Sequence, residues 1–135
     1  MSDRLLLATS GIFALSTAAA SVVAARSPVV PGEPLGLRAP GSVPAQLVAG
    51  WGAGIAAPWP MPAVATWSAW RSTGDPSGPA RTVATVGAMV LVGTAIEPVT
   101  WGRRPATPAA RAAIVANLAS GVSMVLAGAH RLRSR

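Results

Sequence analysis

Four long stretches of this chain carry no charged residue, and the arginines lie before, between and after them. The uncharged stretches are 5–25, 39–70, 82–96 and 112–129. A helix of about 20 apolar residues crosses the roughly 30 Å hydrocarbon core of a bilayer. The pattern therefore predicts an all-α integral membrane protein with about four hydrophobic helical segments.

These segments belong to one transmembrane unit, with expected bounds of about 5–25, 44–71, 79–97 and 108–129. A Pro-rich loop, 26–42, follows the first segment, and a basic tail, 130–135, follows the last. Pro98 is expected to end or kink the third segment. Thr107-Pro108 is typical of the N-cap and first position of a helix, and it predicts where the fourth segment begins.

The first segment has two interpretations. Its 21 uncharged residues between Arg4 and Arg26 are long enough for a transmembrane helix. A short basic start, an apolar run and an A-x-A-like sequence at 18–20 or 23–25 are also typical of a cleaved signal peptide.

The second segment is interrupted by Pro58-Trp59-Pro60-Met61-Pro62. Proline removes a backbone donor and disfavours helix at the preceding residue, so two short helices are expected, about 44–57 and 62–71. They form either one kinked crossing or a re-entrant hairpin whose halves enter from the same side. Four tryptophans of this segment are expected to anchor it at the headgroup boundary: Trp51, Trp59, Trp67 and Trp70.

The number of crossings decides how the arginines divide between the two sides of the membrane. With four crossings, six arginines lie on the side of the tail and five on the other side. With three crossings, seven lie on the side of the tail and four on the other. Hydropathy favours four crossings, whereas the positive-inside rule favours three. Under both counts the cationic tail predicts a cytoplasmic C-terminus for a multi-pass protein of the plasma membrane.

The composition agrees with a membrane environment, since 51% of the residues are hydrophobic and 11% are charged, against about 25% charged in soluble domains. The net charge of +7 comes from arginines that flank apolar segments, so anionic lipid headgroups, and not nucleic acid, are the expected partner. The candidate contacts to lipid phosphates are Arg103, Arg104, Arg131, Arg133 and Arg135.

Three polar residues border or interrupt the apolar segments. Glu97 is either an intramembrane carboxylate that carries a proton or an interfacial one that pairs with a nearby arginine. Gln46 and Asn117 either hydrogen-bond between helices or line a polar path.

Small residues four apart predict where helices pack closely. Gly50 and Gly54 form one such pair, and Ala116 and Ser120 form another. Small residues at this spacing share one helical face and let two backbones approach.

The sequence offers little for catalysis, because cysteine is absent and His130, the single histidine, lies in the tail. We therefore expect a non-enzymatic protein without a cofactor or a metal. The leading interpretation is an accessory or structural subunit bound to other membrane-protein subunits. The alternative is a small homo-oligomeric transporter or channel with a polar path near Gln46, Glu97 and Asn117.

Overall fold

The computed structural model describes residues 2–27, 32–71, 75 and 77–134. This part of the chain is all-helical, as predicted, and forms no strand. Its elements are α1 (Ser2–Arg26), α2 (Val43–Ala49), α3 (Pro60–Trp70), α4 (Ser77–Ala95) and α5 (Pro108–Arg133), with 3₁₀ turns at Pro34–Gly36 and Pro98–Trp101. The predictions on residues 28–31, 72–74, 76 and 135 lie outside the described residues.

Two helix boundaries follow the sequence signals. The hydroxyl of Thr107 accepts a hydrogen bond from the N–H of Ala110 at 3.1 Å, and Pro108 occupies the first turn of α5. α4 ends at Ala95, and Pro98 begins the 3₁₀ turn that follows. The tail prediction is corrected, because α5 continues as helix to Arg133, where its last turn carries basic side chains that favour a helix C-terminus.

Two helices are long and apolar enough to cross a membrane, α1 from Arg4 to Arg26 and the whole of α5, each with a mean hydropathy of 1.8. They support a membrane protein weakly, because a soluble core helix and a signal sequence share these properties. Neither α4 nor the broken segment meets the same criterion. The four predicted crossings therefore stay a prediction.

The helices pack into a bundle with two apolar clusters, one at each end of α1. At the end where α1 begins, which we call the Arg4 end, Leu6 and Phe13 pack in a cluster with residues of α3, the C-terminal half of α5 and most of α4. At the opposite end, the Arg26 end, Ala20 and Ala24 pack with α2, the loop after it and the start of α5. The segment 43–70 therefore runs from the Arg26 end to the Arg4 end.

The break in that segment starts earlier than predicted. α2 ends at Ala49, so residues 50–59 form a loop and not a further two turns of helix. The side-chain oxygen of Gln46 accepts the N–H of Trp51 at 2.9 Å, and the Gln46 carbonyl accepts the N–H groups of both Gly50 and Gly52. Because these bonds turn the chain, the predicted helical pair Gly50 and Gly54 is corrected: both glycines lie in the loop.

The closest helix contact instead lies between α4 and α5. A Cβ on Gly87 would come within 2.8 Å of the carbonyl oxygen of Gly121, and a Cβ on Gly128 within 2.5 Å of that of Ala80. The predicted pair on α5 lies nearby, with Ser120 buried and Ala116 half-buried. The two helices therefore touch backbone to backbone through glycines that the spacing argument did not select.

The outer surface is rich in bulky apolar side chains, whereas several polar side chains are buried. Leu15 of α1 is 73% exposed and Leu126 of α5 is 63% exposed, while Ser10 and Thr17 of α1 are fully buried. Only 33% of the most apolar stretch of α1 is buried inside the bundle. The core is mainly apolar, but an outer surface with this many bulky apolar side chains is unusual for a water-soluble protein.

Candidate ligand-binding cleft

A cleft of about 770 Å³ lies between the loop 50–59 and one side of α4. Its walls are mostly apolar, with Met61 and Ile96 among them. Its exposed lining residues include Trp51, Met89 and Val92. The cleft therefore opens sideways from the bundle.

The floor of the cleft includes a tight turn of buried backbone. Residues 52–56 are all buried, and Ala53 and Ala56 exchange two backbone hydrogen bonds of 2.9 and 3.0 Å. The N–H of Trp59 donates to the carbonyl of Leu47 at 2.8 Å and closes the loop at its base. Irregular backbone is tolerated inside a bundle where its polar groups find such partners.

Gly52 makes this turn possible. Its φ of +84° lies in the left-handed region, and an added Cβ would stand 2.2 Å from the carbonyl oxygen of Ala56. Both the conformation and the space therefore require glycine. The side chain of Gln46, which holds the start of the turn, also donates to the carbonyl of Pro40. Gln46 therefore acts within its own loop and does not line the cleft.

Asn117 of α5 links the helix to this turn. Its side-chain N–H donates to the carbonyl of Ile55 at 2.8 Å. The residue is 3% exposed and lines the cleft. Within the described residues its amide oxygen has no hydrogen-bond partner. The arrangement leaves a buried acceptor without a donor, which is a costly state in a folded protein.

Glu97 also lines the cleft and is 7% exposed. It lies two residues beyond the end of α4, where its Oε2 accepts the backbone N–H of Glu33 at 2.9 Å. The neighbouring N–H of Leu35 donates to the carbonyl of Ile96 at 3.0 Å. Glu97 therefore helps to fasten the first loop onto the connection between α4 and α5.

The predicted pairing of Glu97 with an arginine is corrected. Arg104 instead pairs with Glu33, with 2.6 Å between its Nε and Oε2 of that carboxylate. This contact raises the pKa of the Arg104 guanidinium above its usual value, chiefly through the hydrogen bond. Glu97 forms no ion pair with a described residue, so its carboxylate has a backbone donor but no cation.

The other candidate arginines are spread over the two ends of the bundle. Arg103 and Arg104 are exposed at the Arg26 end, and Arg133 is exposed near the end of α5, where Arg131 is half-buried. Arg71 lies with its guanidinium carbon 4.5 Å from the ring centroid of Trp67, a cation–π contact at the end of α3. The described arginines do not gather into one site, and Arg135 lies outside the described residues.

Sequence reasoning thus found Glu97 and Asn117, which the fold brings to the same cleft, but it missed Glu33 and Gly52. Glu33 is 64 positions from Glu97 and 71 from Arg104, and no local pattern joins residues so far apart. Gly52 could have been noticed in the sequence, because it lies between Gly50 and Gly54 and three glycines so close together favour a turn over a helix.

No protein-family model matches the chain, and neither a curated protein nor a solved structure is significantly similar to it.

Proposed function

We propose that this chain is a multi-pass integral membrane protein whose broken segment 43–70 is one of four crossings. The observation that carries this proposal is the bulky apolar exterior around buried polar side chains. A bilayer favours that distribution, because lipid tails solvate leucine and valine, and polar groups find partners inside the bundle. The path of the broken segment from the Arg26 end to the Arg4 end supports its counting as a crossing.

In this topology, arginines flank the bundle at both ends, as expected for side chains at the headgroup level. α3 has 11 residues, which gives a length of about 16 Å at 1.5 Å per residue. Trp67 and Trp70 near its end are then placed to anchor the bundle at a membrane surface. Trp59 precedes the other end of α3, so this topology does not place it at the headgroup boundary, where the sequence predicted it.

We further propose that α1 is retained and not cleaved as a signal peptide. Leu6, Phe13 and Thr17 of α1 are fully buried, so the bundle uses this helix as part of its core. The intact mass of the protein purified from membranes tests this point. A mass that includes residue 4 supports retention, and a mass that begins after residue 20 or 25 contradicts it.

Within the membrane, the proposed role is that of a non-catalytic accessory subunit of a larger complex, with the C-terminus in the cytoplasm and the plasma membrane as its location. The exposed face of α1, with Ile12, Leu15 and Val22, is the surface on which a partner helix fits best. Neighbouring small residues such as Gly11, around which the space is open, let another helix approach.

The test is a purification of the tagged protein from its native membrane in mild detergent, followed by mass spectrometry. A larger membrane protein that co-purifies in fixed ratio, and is lost when Gly11 is replaced by Leu, supports the role. Met89→Ala, on α4, is the control and keeps the partner. A chain that purifies alone contradicts the subunit role.

The cleft favours a second candidate, a small homo-oligomeric transporter or channel. Glu97 and Asn117 lie together beside an interrupted crossing, an arrangement that transporters use for binding sites. Flux through reconstituted vesicles that Glu97→Gln abolishes supports this candidate, and flux that survives the substitution contradicts a role of Glu97 in transport.

A further inference from the structure

Two residues that line the cleft carry a hydrogen-bond acceptor without a donor, set among mostly apolar neighbours. One is the buried amide oxygen of Asn117, which has no partner in the described chain. The other is the carboxylate of Glu97, whose Oε1 receives no hydrogen bond from a described residue and whose Oε2 receives one. Both residues line the same space.

The charge of the cleft is one-sided. Among the described residues that line it, Glu97 is the one that carries a charge. Arg104 pairs with Glu33 on the first loop, so it does not neutralise Glu97. A carboxylate in an apolar setting is most stable with a cation beside it, since the low dielectric strengthens their attraction.

The remaining walls suit a hydrocarbon chain. Met61, Met89, Val92 and Ile96 also line the cleft. Methionine adapts to ligands of irregular shape because its side chain is unbranched and flexible. A volume of about 770 Å³ lies in the range of small-molecule sites.

We propose that the cleft binds an amphiphilic primary ammonium ion, with its –NH₃⁺ group at the Glu97 carboxylate and its alkyl chain along the methionine side. An ammonium group offers three N–H donors and one positive charge, and among the described residues Glu97 has one backbone donor and no cation. This inference goes beyond the proposed subunit role and does not depend on it, because binding is measured with the purified chain alone.

The experiment is isothermal titration calorimetry on the full chain in phosphatidylcholine nanodiscs, with empty nanodiscs subtracted. Three ligands share one alkyl chain: octylammonium, octyltrimethylammonium, which has the charge but no N–H donor, and octanol, which has no charge. Octylammonium is expected to bind saturably at one site per chain. Octyltrimethylammonium should bind more weakly, and octanol at least tenfold more weakly than octylammonium.

Glu97→Gln is expected to reduce the affinity for octylammonium at least tenfold. The matched control is Asp75→Asn, which removes a carboxylate before α4, about 28 Å of helix away from Glu97, and it should bind as the wild type does. If Glu97→Gln loses its helical circular dichroism, the ranking of the three ligands on the wild type decides instead. Equal binding of octanol and octylammonium, or no saturable heat above empty nanodiscs, overturns the proposal.

Discussion

The α4–α5 pair and the broken segment 43–70 both depend on small residues, but for opposite purposes. Between α4 and α5, Gly87, Gly121 and Gly128 remove side chains so that two regular helices touch. In the broken segment, Gly52 supplies a backbone conformation that ends regular structure and turns the chain. The first arrangement leaves no space and the second borders a cleft, so glycine content alone does not indicate which outcome a segment has.

The largest effect is expected at the turn of the broken segment. Gly52→Ala should destabilise the bundle by about 3 kcal/mol or more, because a left-handed φ and an overpacked site act together. The measurement is the loss of helical circular dichroism during titration of detergent-solubilised protein with sodium dodecyl sulfate.

Gly36→Ala separates the cost of the left-handed φ from the cost of overpacking. Gly36 has a similar φ of +82°, but nothing lies within 4 Å of an added Cβ. It should therefore show the conformational cost alone, about 1–2 kcal/mol. If the two variants unfold at the same midpoint, the close approach of the Ala56 carbonyl plays no part.

The next largest effect is expected at the helix pair. Gly87→Ala should cost about 1–3 kcal/mol, because its Cβ would meet backbone of α5 that cannot rotate away. Gly93→Ala, on the same helix with open space around it, should match or slightly exceed the wild type, since alanine favours helix by up to about 1 kcal/mol. If Gly93→Ala were destabilised and Gly87→Ala were not, α4 would contact α5 through the face of Gly93 and not through the face of Gly87.

A smaller effect is expected where α5 meets the turn. Asn117→Ala leaves the buried carbonyl of Ile55 without its donor, at a cost of about 1–2 kcal/mol. Ser123→Ala is the control, because that exposed hydroxyl bonds to the carbonyl of Ala119 within its own helix. Equal midpoints for the two variants would show that Asn117 does not hold the turn.

The smallest effect is expected at the ion pair on the first loop. Arg104→Gln removes an exposed partner of Glu33, so the unfolding midpoint should fall slightly at low salt. Salt at about 0.5 M should erase the difference by screening. Arg103→Gln, the neighbouring exposed position, should leave the midpoint unchanged under both conditions, and an equal drop there would indicate general charge and not the pair.

The sequence predicted features that depend on neighbours along the chain. The hydroxyl of Thr107 caps α5 by accepting the N–H of Ala110, three residues along the chain. Pro98 cannot continue α4, because proline lacks a backbone N–H and its ring is incompatible with a helix interior. Both features could therefore be predicted from the local sequence. The prolines at 58–62 located a break correctly but not its start. Gln46 sets that start through hydrogen bonds to Trp51 and Gly52, which a helical pattern of apolar residues does not reveal.

The remaining features depend on which helix faces meet. Gly87 contacts Gly121 because α4 and α5 lie side by side in one particular register, and a count of small residues four apart does not fix that register. The partner of Arg104 was equally hidden, since Glu33 approaches it only after the loop has folded back over the bundle end. Glu97 and Asn117 were found by their chemistry, and their common cleft required the fold.

The proposed crossing of the membrane by the broken segment can be tested directly, because the chain has no native cysteine. Single cysteines replace Leu37, which lies before α2 and is 74% exposed, and Gly78, which is exposed in the first turn of α4. Both are treated with a membrane-impermeant maleimide in sealed vesicles of one orientation. We expect one site to be labelled in the sealed vesicles and the other only after the vesicles are opened. Labelling of both sites under the same condition would contradict it.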